Sequence, residues 1–262
     1  RLASLCNIDE PEQVKATIAL SEWKNSTKQN IANIYNGYLK FIGKTWQKPN
    51  YQKTLTLPFI PTEQEIDALI SAGQPKTSTL LQLLKETGAR IGEVLNLEWI
   101  HIDTIRKTVN ITAEKGSNSR ILPISDKLIN MLNHLPKTNN KIFQTNEHGL
   151  RATICTLRKK TATKLSNPRL NKIHFHTFRH FKGTIEYHKT KDIFYVKELL
   201  GHKSIQSTQV YIHIERALFL NTLPDDYHVK VAKTQEEITQ LLETGFEYVL
   251  QKDDLAYFRK RK

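Results

Sequence analysis

The chain has 262 residues, 39% of them hydrophobic, so it is long enough to fold into one large domain or two smaller ones with real cores. Lysine and arginine total 39 against 26 acidic residues, and the resulting charge of +13 favours a polyanionic partner such as nucleic acid or an anionic membrane surface. The longest apolar runs, such as LLQLL at 80–84, are far shorter than the roughly 20 residues of a spanning helix, which argues against a membrane protein.

The cysteines and the first residue give a second set of limits. Cys6 and Cys155 form no CxxC pair, so the sequence predicts neither a disulfide framework nor a thiolate metal site. There is no signal-peptide pattern, and the chain opens at Arg1 without a methionine. We therefore expect a cytoplasmic protein whose sequence begins inside a longer one.

Two stretches near the N-terminus, 11–23 and 27–46, place apolar residues at helical spacing. Two helices make only part of a domain, so we interpret residues 1–50 as a partial helical domain. Residues 51–61 contain prolines and show no helical period, which is typical of a linker.

Residues 62–222 are predicted to form a larger, mostly helical domain with a small sheet. Thr62 and Glu65 fit a capping box, and Gly73 fits the end of the helix that the box begins. Further helices are expected at roughly 77–87, over IGEVLNL, and from 126 to about 220. Alternating β-branched residues over 99–124, with two turn signals, predict a three-stranded antiparallel sheet.

The tail, residues 223–262, shows a third pattern. YHVKVAK is predicted to form a strand, TQEEITQLLETG a capped helix, and FEYVLQKDDLAYFRKRK a hairpin that ends in a basic cluster. We interpret this segment as an extension of the preceding domain.

Histidines and an arginine crowd into the eight residues HFHTFRHF. His176 and His180 fall one helical turn apart, as two zinc ligands would. The metalloprotease pattern H-E-x-x-H needs a glutamate after the first histidine as general base, but Thr177 stands there. No other carboxylate or thiolate cluster offers a third ligand, so we interpret His174 and His180 as partly buried histidines of a basic helix.

Cationic side chains and a tyrosine suit a different chemistry. Phosphoryl transfer from DNA without a metal needs cations at the phosphate oxygens, a proton donor for the leaving alkoxide and a nucleophile of modest basicity. Arginine donates two hydrogen bonds to paired oxygens and stays charged. A phosphotyrosine ester keeps the energy of the phosphodiester bond, so a second hydroxyl can reseal the strand without ATP.

Three stretches together resemble the boxes of the tyrosine recombinases, the integrase family of phage and mobile-element enzymes. TGARIGEVLNL (87–97) resembles the first box, HTFRH (176–180) the His-x-x-Arg box and LLGHKSIQSTQVY (199–211) the final box. They occur in the family's order and separation, and the resemblance covers about residues 58–215. The tail is similar to that of archaeal-type integrases.

The resemblance implies a role for each matching residue. Arg90 and Arg179 would stabilise the charge that develops on the phosphate. His176 and His202 would supply hydrogen bonds and proton handling. Tyr211 would be the nucleophile.

Two further residues complete the implied site. Glu93 would hold the site together, and Lys115, in the turn of TAEKGSNSR, would protonate the 5′ leaving oxygen. Lys107 and Arg120 lie in the same predicted sheet, so the lysine assignment stays open.

The tyrosine assignment also has rivals among the eight other tyrosines. Tyr187 and Tyr195 are the nearest in sequence, and helical periodicity favours core or DNA-flanking positions for both. Gly201 fits a helix stop that turns the chain so that His202 points into the site. The basic run RKKTATK (158–164) is typical of a solvated face, and in a DNA enzyme it could contact phosphates.

The resemblance implies a site-specific recombinase that cleaves and rejoins double-stranded DNA through a 3′-phosphotyrosyl intermediate and a Holliday junction, without metal, ATP or another cofactor. The implied fold is a mainly α catalytic domain with a small three-stranded antiparallel sheet, preceded by a partial helical DNA-binding domain, the two clamping the duplex. Four protomers would act on two duplexes at attachment sites in the host nucleoid, with the enzyme encoded by a virus or plasmid.

Two alternatives stay open from the sequence. A type IB topoisomerase shares the arginines, the lysine and the tyrosine, but it reseals the same strand and relaxes supercoils as a monomer. An integrase fragment could also bind its site without cutting it.

Overall fold

In a computed structural model, residues 2–52, 56–114, 116–219 and 227–261 are described, and the chain divides into two compact units between Thr56 and Leu57. This division falls inside the predicted linker. None of the described helices combines the length and the hydropathy that crossing a bilayer requires.

The first unit contains two helices, α1 (Pro11–Leu20) and α2 (Asn25–Phe41). Their apolar faces meet in a small core, which consists of Val14, Ile18, Tyr35 and Leu39. The sequence predicts that the second helix extends to residue 46, but it ends earlier. Gly43 adopts a left-handed backbone with φ +71°, and the amide of Lys44 turns back to the carbonyl of Leu39 at 2.8 Å.

The second unit begins with three helices, α3 (Glu63–Ala72), α4 (Pro75–Thr87) and α5 (Ile91–Leu95). The predicted capping box is confirmed, because Thr62 and Glu65 exchange backbone and side-chain hydrogen bonds at the start of α3. Helix α4 ends at Gly88, whose φ of +61° favours glycine.

The predicted antiparallel sheet is confirmed, with strands β1 (Ile102–Asp103), β2 (Thr108–Ile111) and β3 (Arg120–Pro123) in that spatial order. Val109 and Ile111 of β2 and Leu122 of β3 point into the core, while the intervening residues face outward. The loop between β2 and β3 is the segment that contains Lys115.

Five more α-helices follow the sheet in the described part of this unit before the tail. They are α6 (Asp126–Asn133), α7 (Glu147–Lys164), α8 (Phe175–Thr190), α9 (Ile193–Leu200) and α10 (Val210–Leu218). Helices α4 and α8 pack side by side, and α10 packs on α8. One continuous hydrophobic core extends from α3 to α10 and includes Leu84, Phe178 and Leu200. This core fixes α8 in the centre of the unit.

The tail folds as β4 (Tyr227–Ala232), α11 (Gln235–Glu243), β5 (Glu247–Lys252) and β6 (Leu255–Arg261), which confirms the predicted strand, helix and hairpin. The strands form a second antiparallel sheet in the order β4-β6-β5. Its core is separate from the main one, and the buried residues are Ala232, Leu241, Phe246, Ala256 and Phe258.

Candidate active site

Helix α8 presents the His-x-x-Arg box to the centre of the unit. Arg179 and His180 lie three and four residues after His176, and Gly183 lies four and three residues after them, which places all four along one side of the helix. The final box reaches this side from α9 and α10, and the first box reaches it from the end of α4. The three boxes therefore meet around one helix.

Arg179 is buried, with 1% of its surface exposed. Its Nη1 donates to the carbonyl of Gly88 at 2.9 Å, and its Nη2 donates to the carbonyl of Leu200 at 2.6 Å. These carbonyls lie at the C-terminal ends of α4 and α9, where helix carbonyls lack partners and carry partial negative charge. Burial, followed by repulsion from Arg90, lowers the pKa of Arg179 to about 10, so the side chain stays charged at neutral pH.

Glu93 is the buried acid of the site, and its side chain is 0% exposed. One carboxylate oxygen accepts hydrogen bonds from the backbone N–H of Arg90 at 2.9 Å and from Nη2 of Arg120 at 2.8 Å. Burial alone would raise the pKa of Glu93, but these hydrogen bonds outweigh it and hold the pKa below its usual range. The ionised carboxylate thereby joins the start of α5 to β3.

The loop that follows β2 is docked against the final box. Ser117 Oγ and the backbone N–H of Asn118 both donate to the carbonyl of Gly201, at 3.2 and 3.0 Å. Ser117 also forms a β-bridge with His202. Gly201 has φ +69°, so the predicted helix stop is confirmed. Lys115 itself lies outside the described residues.

His202 is buried behind this loop, and its Nδ1 lies 2.9 Å from Oγ1 of Thr208. Burial and then the nearby cations Arg179 and Arg90 lower the pKa of His202 to about 3. The imidazole is therefore neutral at physiological pH in the DNA-free protein.

A pocket of about 300 Å³ lies beside the start of α5 and is lined by Arg90, Glu114, Arg151 and His176, among others. Arg90 Nη1 is buried and makes no hydrogen bond within the described part of the chain, but it lies 3.5 Å from Oε1 of Glu93 in an ion pair. Partial burial, with repulsion from Arg179 and Arg90, lowers the pKa of His176. Of the predicted site residues, Arg90 and His176 line this pocket.

Tyr211 lies at the start of α10, with 1% of its surface exposed. Its ring rests on Gly183 of α8, where an added Cβ would lie 2.7 Å from Cε1 of the tyrosine. Its hydroxyl oxygen lies 3.5 Å from Nδ1 of His180. Burial raises the pKa of Tyr211 to about 12, against a smaller opposing effect of Arg179.

The rival tyrosines have other surroundings. Tyr187 is half-buried against the hydrophobic core, and Tyr195 is 42% exposed on α9. Burial and the charge of Glu186 raise the pKa of Tyr195.

A second set of contacts ties α10 to the end of α8. Glu215 is buried and lies 3.0 Å from Nδ1 of His188, and it also pairs with Lys191. The ring of His188 stacks on Phe219 at 3.9 Å between centroids. Helix α10 is therefore held at both ends.

The close fit at Gly183 leads to a stability prediction. Gly183→Ala should lower the free energy of unfolding by about 1–3 kcal/mol, because the new methyl group overlaps the ring of Tyr211. Gly37→Ala on α2 is the matched control, since an added Cβ there meets nothing within 4 Å and should stabilise by about 0.5–1 kcal/mol. Urea unfolding of both variants measures the change in the free energy of unfolding. Equal changes in the two variants would contradict the close contact between Gly183 and the ring of Tyr211.

The structure brings six of the seven predicted site residues together, namely Arg90, Glu93, His176, Arg179, His202 and Tyr211. Two further residues join them that sequence reasoning did not place there. Arg120, weighed only as a rival to Lys115, is the partner of Glu93, and His180, interpreted as an ordinary helix histidine, contacts Tyr211. The four-residue spacing from His176 to His180 was the available signal for the second.

Across the described ranges, no three His, Cys, Asp or Glu side chains cluster as metal ligands would. The cationic side chains of the site suit an anionic ligand, since an arginine offers a planar fork of donors that matches paired oxygens.

A sequence model of the phage integrase family matches residues 61–217. The chain belongs to this family. The predicted kinship with tyrosine recombinases is thereby confirmed, and curated relatives in the family carry that name. A tyrosine recombinase of Thermosipho africanus is 29% identical over 195 residues, which cover 70% of this chain and 68% of the relative. The tyrosine recombinase XerD of Staphylococcus aureus is 29% identical over 64% of this chain, and the match spans only 62% of XerD.

Solved structures of a site-specific recombinase and a transposon integrase share the fold. The XerH site-specific recombinase, bound to its palindromic difH substrate after cleavage, has a TM-score of 0.61 at 20% identity and covers 79% of this chain and 70% of that one. The Tn1549 transposon integrase, in complex with transposon right end DNA, has a TM-score of 0.62 at 14% identity and covers 84% of this chain and 87% of that one. The mainly α fold with a small antiparallel sheet, expected from the sequence, is thus confirmed.

Proposed function

We propose that this chain is a site-specific DNA recombinase that cleaves and rejoins double-stranded DNA through a 3′-phosphotyrosyl intermediate. The observation that carries the proposal is the position of Tyr211. It is the tyrosine of the final box, and it lies against the helix that supplies His176 and Arg179. Tyr187 lies on that helix itself, half-buried against the hydrophobic core, and Tyr195 is 42% exposed on α9. Neither has a described contact with His176, Arg179 or His180.

The proposed reaction begins when a scissile phosphate enters the pocket at Arg90 and His176. The two arginines stabilise the charge on the non-bridging oxygens. The hydroxyl of Tyr211 gives its proton to a neighbouring histidine, and its oxygen forms a bond to phosphorus. The bond from phosphorus to the 5′ oxygen breaks, and Lys115 gives that oxygen a proton. The free 5′-hydroxyl of one duplex then attacks the phosphotyrosine of another, which releases the tyrosine.

Burial of the nucleophile implies a conformational step. Tyr211 and Arg179 are each 1% exposed in the DNA-free protein, so a phosphate cannot reach both without movement. A shift of α10 along α8 would bring the hydroxyl to the pocket. The contacts of Glu215 on α10 with His188 and Lys191 would then have to break or rearrange.

The partners follow from the same proposal. XerH and the Tn1549 integrase were solved with DNA, which supports double-stranded DNA as the substrate here. We extend the proposal to four protomers on two duplexes, to residues 62–222 as the catalytic domain with 223–262 as its extension, and to residues 1–50 as a part of the DNA-binding domain. The DNA of a host cell that carries a virus or plasmid would be the place of action.

A denaturing gel of the protein with candidate attachment-site DNA tests the proposal. Tyr211→Phe should abolish the covalent protein–DNA adduct and leave DNA affinity almost unchanged, because only the attacking oxygen is removed. Tyr187→Phe and Tyr195→Phe are the matched controls and should still form adduct. An adduct with Tyr211→Phe, or its loss in either control, would contradict the assignment.

A second assay separates recombination from relaxation. Two attachment sites on different DNA molecules should exchange flanking sequences in the presence of the protein. Relaxation of a supercoiled plasmid without exchange would favour a topoisomerase, and tight binding without adduct would favour a fragment that only binds.

A further inference from the structure

The hydroxyl of Tyr211 has one hydrogen-bond partner among the described side chains, and it is none of the predicted site residues. Nδ1 of His180 lies 3.5 Å from the tyrosine oxygen, and the two ring centroids are 6.1 Å apart. His180 also touches His176 edge-on, with ring centroids 4.6 Å apart. His180 thus stands between the nucleophile and a residue of the phosphate pocket.

We propose that His180 is the base that receives the proton of Tyr211 as the tyrosine attacks the phosphate. This inference rests on the proposed function and assigns a catalytic role to the last residue of the HTFRH box, for which the resemblance implied none. His180 is half-buried and lies on the same helix as His176 and Arg179. A base on this helix keeps a fixed position relative to the phosphate-binding groups.

The surroundings of Tyr211 make a base necessary. Its burial in a slot over Gly183 raises the pKa of the phenol to about 12, so the hydroxyl keeps its proton at neutral pH. A neutral phenol is a weak nucleophile, and a neighbouring base strengthens it by taking the proton during the attack. The shift of α10 proposed above would carry the hydroxyl from Gly183 towards His176, and His180 lies between these two residues on α8. The 3.5 Å contact can therefore shorten when substrate binds, as catalytic hydrogen bonds often do.

The other candidate bases are already engaged or lie elsewhere. Nδ1 of His202 faces Thr208 at 2.9 Å. His176 lines the pocket where the phosphate is proposed to bind, which suits a donor to phosphate oxygens. Neither has a described hydrogen bond to the tyrosine oxygen.

His180 can act as an acceptor because it is neutral. Burial, then repulsion from His176 and Arg179, lowers the pKa of His180 to about 4. The groups that act on it are these two residues on α8 and Tyr211 on α10. A phosphate at the pocket adds negative charge beside them, which offsets the repulsion and makes His180 a stronger base.

The proton transfers balance over cleavage and rejoining. As the bond from the tyrosine oxygen to phosphorus forms, its O–H bond breaks and the proton moves to Nδ1 of His180. The bond from phosphorus to the 5′ oxygen breaks, and the proposed acid Lys115 protonates that oxygen. In rejoining, the imidazolium of His180 returns the proton to the departing tyrosine oxygen, and Lys115 accepts one from the attacking 5′-hydroxyl.

A pH profile of cleavage tests the proposal in the full chain. The substrate carries sulfur in place of the bridging 5′ oxygen, so that leaving-group protonation is not needed and attack limits the rate. His180→Ala should cleave about 10²–10⁴-fold more slowly at pH 7, the usual contribution of a general base. Its rate should then rise about tenfold per pH unit between about pH 6 and 9, because the tyrosine must now ionise unaided, whereas the unmutated rate levels off.

Two variants separate proton transfer from positioning. His180→Asn keeps a polar group near the tyrosine but takes no proton, so it should be as slow as His180→Ala; the exposed His134→Ala should match the unmutated protein. A fluorinated tyrosine of lower pKa at position 211 should restore much of the rate to His180→Ala and not to Arg90→Ala. Full activity of His180→Asn, or pH profiles of both variants that run parallel to the unmutated one, overturns the proposal.

The same assay distinguishes failure of this inference from failure of the proposed function. Adduct formation by the unmutated protein that disappears in Tyr211→Phe supports the recombinase chemistry independently of His180. If that adduct forms while the His180 variants cleave normally, only the role of His180 is wrong. If the unmutated protein forms no adduct, the proposed function and this inference both fall.

Discussion

Lys115→Ala is expected to cleave an ordinary DNA strand about 10²–10⁴-fold more slowly than the unmutated protein, because the 5′ oxygen would leave without a general acid. The measurement is the single-turnover rate of covalent adduct formation on a nicked attachment-site substrate. The prediction comes from the position of Lys115 in the sequence, between β2 and β3. Its neighbours Ser117 and Asn118 donate hydrogen bonds to the carbonyl of Gly201.

Sulfur at the bridging 5′ position gives this prediction its signature. A thiolate leaves without protonation, so Lys115→Ala should cleave the sulfur-substituted strand nearly as fast as the unmutated protein does. Arg90→Ala and Arg179→Ala should stay slow on both substrates, since their proposed work is on the non-bridging oxygens.

Two results would count against Lys115. If sulfur rescues none of the three variants, the proton comes from another group and Lys115 is an ordinary turn lysine. If Lys107→Ala is rescued instead, the role belongs to the other lysine of the sheet. Lys107 pairs with Asp126 at 2.8 Å on an exposed surface, so we expect its loss to leave cleavage unchanged.

Arg120→Ala should lower the free energy of unfolding by about 3–5 kcal/mol, because it leaves the carboxylate of Glu93 buried without its main partner. Arg90 lies 3.5 Å from the same carboxylate and offsets part of the loss, which favours the lower end of that range. Arg106→Ala is the matched control: its guanidinium is 83% exposed beside Asp103, so its removal should cost less than about 1 kcal/mol. Urea unfolding at neutral pH measures both.

The effect of Arg120→Ala should also depend on pH. The pKa of Glu93 is lowered in the folded protein, so its pairing stabilises the fold fully above its unfolded pKa of about 4.3. This contribution is lost as the pH falls through the folded pKa. In the variant, buried Glu93 takes up a proton more readily. The gap between the two proteins should therefore shrink from pH 7 to pH 3, and a constant gap would mean that the ion pair is not its cause.

The local rules of helices and strands made most of the fold predictable. The capping box at Thr62 and the alternation over 102–123 each depend on neighbours within a few residues, so they can be read from the chain. The end of α2 was harder, because apolar residues continue at helical spacing past the point where Gly43 turns the backbone. Apolar spacing alone does not fix a helix end.

The residues of the site that belong to a sequence motif were predictable, and those that join it through side-chain contacts between distant elements were not. The boxes identified Arg90, Arg179 and Tyr211 by type and order. The contact of Arg120 with Glu93 joins β3 to α5, and the contact of His180 with Tyr211 joins α8 to α10. Both depend on packing between elements distant in sequence, which neither spacing nor propensity encodes.

The hydrogen bonds of Arg179 to the ends of α4 and α9 bear on how inactive variants are interpreted. Each buried carbonyl that loses its donor costs about 1–3 kcal/mol, so a variant at this position yields less folded enzyme before any chemistry is measured. Even Arg179→Lys, which keeps the charge, lacks the planar fork that reaches two carbonyls at once. Selection for recombination and selection for soluble expression thus act on the same guanidinium, and a screen of this position must score protein yield alongside turnover.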